Sequence, residues 1–86
     1  MYNKVYSEEI AKTLSKLKKK DIIQYSAVKK KISFIIENPN HNYKFLHHDM
    51  KGDQRVHIGH FVLVFTIDHK NKTVYFHDYD NHDNIY

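Results

Sequence analysis

The sequence predicts an α+β domain: a short N-terminal strand, an αα-hairpin, and then a three-stranded antiparallel meander with the helices packed on one sheet face. Two observations carry this. Apolar residues recur at helical spacing between Ile10 and Ile36, and from Arg55 onward they alternate with period two. At 86 residues and 41% hydrophobic, the chain has material for one modest core, so residues 1–86 are expected to form a single domain.

The strand comes first because Tyr2, Lys4 and Tyr6 alternate with Asn3 and Val5, a β-branched and aromatic pattern. Ser7 then offers an N-cap to a helix with Glu8 and Glu9 in its first turn, where carboxylates complement the positive helix end. Ile10, Leu14 and Leu17 form its apolar face, and Lys18, Lys19 and Lys20 suit its C-terminal end. Asp21 caps a second helix whose stripe is Ile22, Tyr25, Val28, Ile32, Ile35 and Ile36, and Asn38-Pro39 stops it. So short a link makes the two helices antiparallel neighbours with a joint apolar surface that the sheet must cover.

Residues 39–54 hold the only Pro, one of two Gly and many Asn, His and Asp. They read as a loop anchored by Tyr43, Phe45 and Leu46. Three strands follow, separated by Gly59-His60 and by the polar stretch Asp68-His69-Lys70-Asn71-Lys72, connections short enough to make the strands antiparallel. Strict alternation buries Val56, Ile58, Phe61 or its neighbours, Val74 and Phe76 against the helices. The opposite face then presents Arg55, His57, Tyr75, His77 and Tyr79.

Charge narrows the partner. Residues 1–37 carry nine Lys against four acids, a net +5, whereas residues 38–86 come to −1 and hold all eight His. An anionic partner such as nucleic acid or an acidic protein segment fits this balance, and a solvated helix surface is the competing explanation of the lysines. The chain has no Cys, which removes disulfides, thiolate metal sites and thiol catalysis. The longest apolar run, Phe61 to Phe65, is far short of the ~20 residues that span a bilayer, and Met1-Tyr2-Asn3-Lys4 lacks a secretory core. A cytoplasmic protein without membrane contact is therefore expected.

The candidate chemistry lies on the meander's exposed face and in the tail. Arg55 is the only arginine, and its planar fork suits bidentate phosphate binding; an ion pair with Asp78 or Asp80 is the plainer alternative. His57 lies beside it. In the tail, His82 is a candidate general acid or base, with Asp83 to orient it, and Tyr86 is a candidate base-stacking ring or a hydrophobic anchor. His77, Asp78, Asp80, His82 and Asp83 crowd together but lack zinc-signature spacing, and His47-His48-Asp49 reads as solvated loop. No metal or other cofactor is expected.

The order of elements resembles the RelE/ParE toxin superfamily over essentially the whole chain. The specific pieces are the Asn38-Pro39 helix stop, the Gly-x-x-Arg-Val-x-Ile-Gly segment from Gly52 to Gly59, the following apolar strand with Asp68, and the tail His82-Asp83-Asn84-Ile85-Tyr86. The resemblance implies the toxin of a type II toxin–antitoxin system. In the RelE branch such a toxin cleaves mRNA in the ribosomal A site without a metal, by attack of the 2′-hydroxyl on the adjacent phosphodiester. It matches Arg55 and His57 to the first meander strand's basic sites and Tyr86 to the tail tyrosine that stacks on the substrate base, with His82 near the tail's basic position; these four are the expected catalytic residues. RNA contacts are expected at His60, His77 and Lys51, and through charge alone at Lys18, Lys19 and Lys20. Where members commonly carry Arg at the start of the next strand, this chain has Val62, with His60 as a nearby replacement. A gyrase-inhibiting toxin of the ParE kind, or a member that only binds its antitoxin, is the alternative that Val62 keeps open. Each reading implies a RelB-like antitoxin wrapped into the groove between helices and sheet, with a heterotetramer as one assembly the resemblance allows.

Overall fold

The computed structural model describes residues 1–46 and 52–86. Elements run β1 (Asn3–Tyr6), α1 (Glu8–Lys20), α2 (Ile22–Glu37), β2 (Lys44–Phe45), β3 (Gln54–Ile58), β4 (Phe61–Asp68), β5 (Thr73–Asn81) and α3 (His82–Ile85). The expected helical hairpin and antiparallel meander are both present. The sheet is larger than the meander: among the described residues it has five strands in the order β1-β5-β4-β3-β2. β1 joins it as a parallel edge against β5, Asn3 facing Thr73 and Tyr6 facing Phe76. β2 arises inside the segment read as loop and pairs Lys44 with Arg55. Two residues are too few for an alternation to be visible in sequence.

Local chemistry sets the helix ends where they were expected. Ser7 Oγ accepts the Ile10 N–H at 3.1 Å and donates to the His77 carbonyl at 2.7 Å, so one hydroxyl caps α1 and ties it to the sheet. Ser7→Ala is expected to lower stability in urea unfolding by about 1–2 kcal/mol, with the slope unchanged. Asp21 Oδ1 accepts the Gln24 N–H at 3.1 Å and starts α2. At its other end the Asn38 backbone N–H and side chain both donate to the Phe34 carbonyl, at 2.9 Å each.

The core lies between the helices and one sheet face. Ile10, Leu14, Val28, Ile32, Ile35 and Ile36 from the helices meet Leu63, Phe65, Val74, Phe76 and Tyr79 from the strands. Two expected core members are absent from it. Ile22 is 58% exposed because it occupies the first turn at the α1–α2 corner, and the buried stripe begins one turn later. Phe45 is likewise 58% exposed, and among the described residues of the long connection Tyr43 is the buried anchor. The Tyr43 hydroxyl donates to the Asn38 carbonyl at 2.8 Å, and its ring stands edge-on to Phe65 at 5.2 Å. Burial raises the pKa of that phenol.

The sheet faces also depart from simple alternation. Along β4 and β5 the register runs Val64 with Asp78 but Phe65 with Phe76, leaving His77 as an extra residue in a β-bulge. The bulge flips the parity of everything after it. Tyr79, expected on the exposed face, turns into the core, where it is 4% exposed and stacks on Phe61 at 5.1 Å. Its hydroxyl accepts from Gln24 Nε2, and burial raises its pKa. Asp78 and Asp80 take the other face in its place. Among the described residues, no helix is long and apolar enough to cross a membrane.

Candidate active site

Directly opposed residues in an antiparallel pair share a face. Leu63 and Phe65 belong to the helix-side core, so Val62 and Val64 point the other way, together with their partners His57 and Arg55 on β3 and Asp80 and Asp78 on β5. Lys44 on β2 extends the Arg55 row. The open face is thus polarised, with cations and imidazole on β2 and β3, acids on β5, and the two valines as a floor between them. Val62 is 0% exposed although no helix of the hairpin covers that side.

The C-terminal turn crosses this face. Asn81 Oδ1 accepts the Asp83 N–H at 3.0 Å, the Asn-x-Asp start expected of a capped turn. The His82 N–H donates to the His60 carbonyl at 2.9 Å, Asn84 Nδ2 to Asp80 Oδ1 at 3.1 Å, and the Tyr86 N–H to the His82 carbonyl at 3.1 Å. Chain direction reverses, and the final ring returns over β3. The Arg55 guanidinium carbon lies 5.7 Å from the Tyr86 ring centroid, within cation–π range. The His57 ring is 5.7 Å from His82 at 25° and 6.5 Å from Tyr86 at 20°, and His82 is 4.5 Å from Tyr86.

Four residues from the first and last thirds of the meander region therefore converge. Among the described residues Arg55 makes no ion pair with Asp78 or Asp80; Val64 stands between its row and Asp78, and its buried Nε has no hydrogen-bond partner. His82 Nδ1 and Asp83 Oδ1 are 3.6 Å apart, with Asp83 94% exposed, which is too long for the hydrogen bond that would fix a tautomer.

The other sequence candidates are not gathered here. His60 sits exposed in the β3–β4 turn and touches the tail through its carbonyl. That turn needs Gly59, whose φ is +63°, at its first position. His77 is held away at the bulge, its Nε2 2.7 Å from Thr66 Oγ1 and 4.0 Å from Asp53 Oδ1, while Thr66 Oγ1 donates to Asp53 Oδ1 at 3.0 Å. Lys18, Lys19 and Lys20 close α1 on the helix side of the sheet, away from the cluster. Lys51 and the His47-His48-Asp49 triplet lie outside the described residues. Lys44 was hidden from sequence reasoning by the brevity of its strand, whereas the turn-holding role of Asn81 was legible in its capping chemistry.

With this geometry in place, comparison with known proteins places the chain. No family model matches it. It is 48% identical over 87 aligned positions to the protein named "Putative toxin RelE4" of Methanocaldococcus jannaschii, an alignment covering all of this chain and 92% of that one. The chain belongs to the RelE toxin family. An uncharacterised Methanosarcina mazei protein is 44% identical, with both chains fully covered. Among solved structures, the Mycobacterium tuberculosis toxin–antitoxin complex RelBE2 superposes with a TM-score of 0.74 at 21% identity, over 93% of this chain and 96% of that one. The isolated Escherichia coli RelE toxin also gives 0.74, at 18% identity, over 94% of this chain and 84% of that one. The RelE fold expected from the sequence is thus the observed fold. In this RelE-family chain the open face carries a single guanidinium, Arg55, because the adjacent row holds Val62.

Proposed function

We propose that this chain is the toxin of a type II toxin–antitoxin pair and a metal-independent, ribosome-dependent endoribonuclease acting on mRNA in the cytoplasm. The carrying observation is the convergence of Arg55, His57, His82 and Tyr86 on one open face. In this reading the 2′-oxygen loses its proton to one of the two imidazoles and bonds to the adjacent phosphorus. The bond from phosphorus to the 5′-oxygen breaks, and the departing oxygen takes a proton from the other imidazole. The products are a 2′,3′-cyclic phosphate and a free 5′-hydroxyl. Arg55 binds the non-bridging oxygens as charge builds on them, and Tyr86 stacks on a base beside the cut.

RelBE2 is a toxin–antitoxin complex, and family membership supports a RelB-like partner for this chain as well. Mapping mRNA 5′ ends on ribosomes tests the reaction. Wild type is expected to give codon-phased cuts, and His82→Ala to lower cleavage by about 10²-fold or more through loss of one proton transfer. Intact mRNA together with accumulating DNA breaks would replace this reading with a gyrase-inhibiting one. The buried Val62 in place of a cation is the observation that favours that second reading.

A further inference from the structure

The face that carries Arg55 does not end at β3. An open groove of about 440 Å³ runs from the cluster past β2 to α2, lined by Lys31, His41, Tyr43, Lys44, Arg55 and His57. Three permanent cations and two imidazoles meet there, and among the described residues no carboxylate lines it. We infer that this groove is a subsite for the RNA nucleotide next to the one being cut, binding its phosphate through Lys31, Lys44 and Arg55 and stacking its base on the aromatic rim. The inference rests on the proposed cleavage at Arg55, and it extends the substrate strand beyond the reacting bond.

The fold holds a local conflict at this groove. Lys44 and Arg55 are directly opposite in the β2–β3 register, so two like charges face each other on neighbouring strands, an arrangement that costs stability. An anion seated between them removes that repulsion. A phosphodiester also suits the geometry of a guanidinium fork beside an ammonium point charge. Lys31, from α2, reaches the same groove from the helix side.

The aromatic component selects single-stranded nucleic acid over other anions. Phe34 is 43% exposed, with Lys31 Nζ 5.9 Å from its ring centroid. His41 stands edge-on to Phe34 at 5.7 Å and tilted against Tyr43 at 4.8 Å, and His41 itself is exposed. Cations interleaved with exposed rings are what unpaired bases and their backbone require together. An acidic peptide would draw on the same charge, but it would also seek deep apolar seats for its anchors, whereas Tyr43 in this groove is already buried against Phe65 and the exposed rings beside it lie at the surface.

The test is fluorescence anisotropy of the full-length chain with a labelled single-stranded hexaribonucleotide bearing 2′-O-methyl sugars, which cannot be cleaved. The Lys31→Gln, Lys44→Gln double variant is expected to bind about tenfold more weakly than wild type. Its slope of log affinity against log salt should shrink by up to about 0.7, the value for one phosphate on a single strand. The control is Lys12→Gln, Lys16→Gln, which removes equal charge from exposed sites on α1 and should leave binding unchanged. His41→Ala should weaken binding without altering the salt slope. The subsite is overturned if wild type does not bind the oligonucleotide, if the two lysine pairs act equally, or if the Lys31/Lys44 variant loses only a competing acidic dodecapeptide. Cleavage on ribosomes is measured separately: RNA binding that follows the groove residues without any mRNA cleavage keeps the subsite and removes the nuclease.

Discussion

Arg55→Ala is expected to lower the rate of mRNA cleavage on programmed ribosomes by about 10²-fold or more, the usual consequence of removing one preorganised donor at a developing oxyanion. Two features raise the effect here. Arg55 is the only arginine in the chain, and Val62 leaves no second guanidinium on the open face to compensate. The loss should fall mainly on the maximal single-turnover rate, with a smaller loss of RNA binding through the adjoining groove. It should not be a folding defect, because no ion pair to Asp78 or Asp80 is broken among the described residues and the like-charge contact with Lys44 is relieved. A thermal melt within a few degrees of wild type, together with the rate loss, supports the role assigned to Arg55. An unchanged rate would remove Arg55 from the chemistry.

Phe65→Ala carries the largest expected stability effect, a loss of about 3–5 kcal/mol in urea unfolding. Phe65 is 0% exposed and stands beside the β5 bulge, where its ring meets Tyr43 at 5.2 Å and Phe76 at 6.1 Å. Phe76 in turn meets Tyr6 at 5.9 Å, so the aromatic chain links the residue just before β2 to β4, β5 and β1. Truncation leaves a cavity at the middle of that chain. Against a total stability of about 5–15 kcal/mol for a small domain, the loss is large enough to populate unfolded chains at growth temperature. The Tyr43 end also holds Lys44 in place, so Lys44 mobility should rise even in the folded fraction. Phe65→Leu, which keeps most of the volume, should lose clearly less; equal losses for the two variants would mean that the ring does not fill the site.

Much of the framework follows from short-range chemistry. Ser7, Asp21 and Asn38 act on N–H and C=O groups within four residues, so their sequence positions define where α1 and α2 begin and where α2 ends. The period-two pattern after Arg55 likewise fixes β3, β4 and the first half of β5, since each side chain's face depends on the preceding one. The same local logic put Arg55 and His57 side by side on one face.

What local logic missed were features decided across strands. The extra residue at His77 exists only in the pairing of β5 with β4, and it sends Tyr79 inward and Asp80 outward against the simple alternation. Asp80 then holds Asn84, and the tail it helps to fold brings His82 and Tyr86 over β3. β2 is a strand only because Arg55 and Gln54 offer it partners, and through it Lys44 joins the open face. The sequence by itself determined the element order, the helix caps, the apolar faces of the helices and the residue types available for RNA chemistry, all from interactions within one or two turns of chain. Which of those residues meet was decided by tertiary structure alone, because a bulge, a two-residue edge strand and a reversed tail are fixed by hydrogen bonds and packing between segments far apart in sequence.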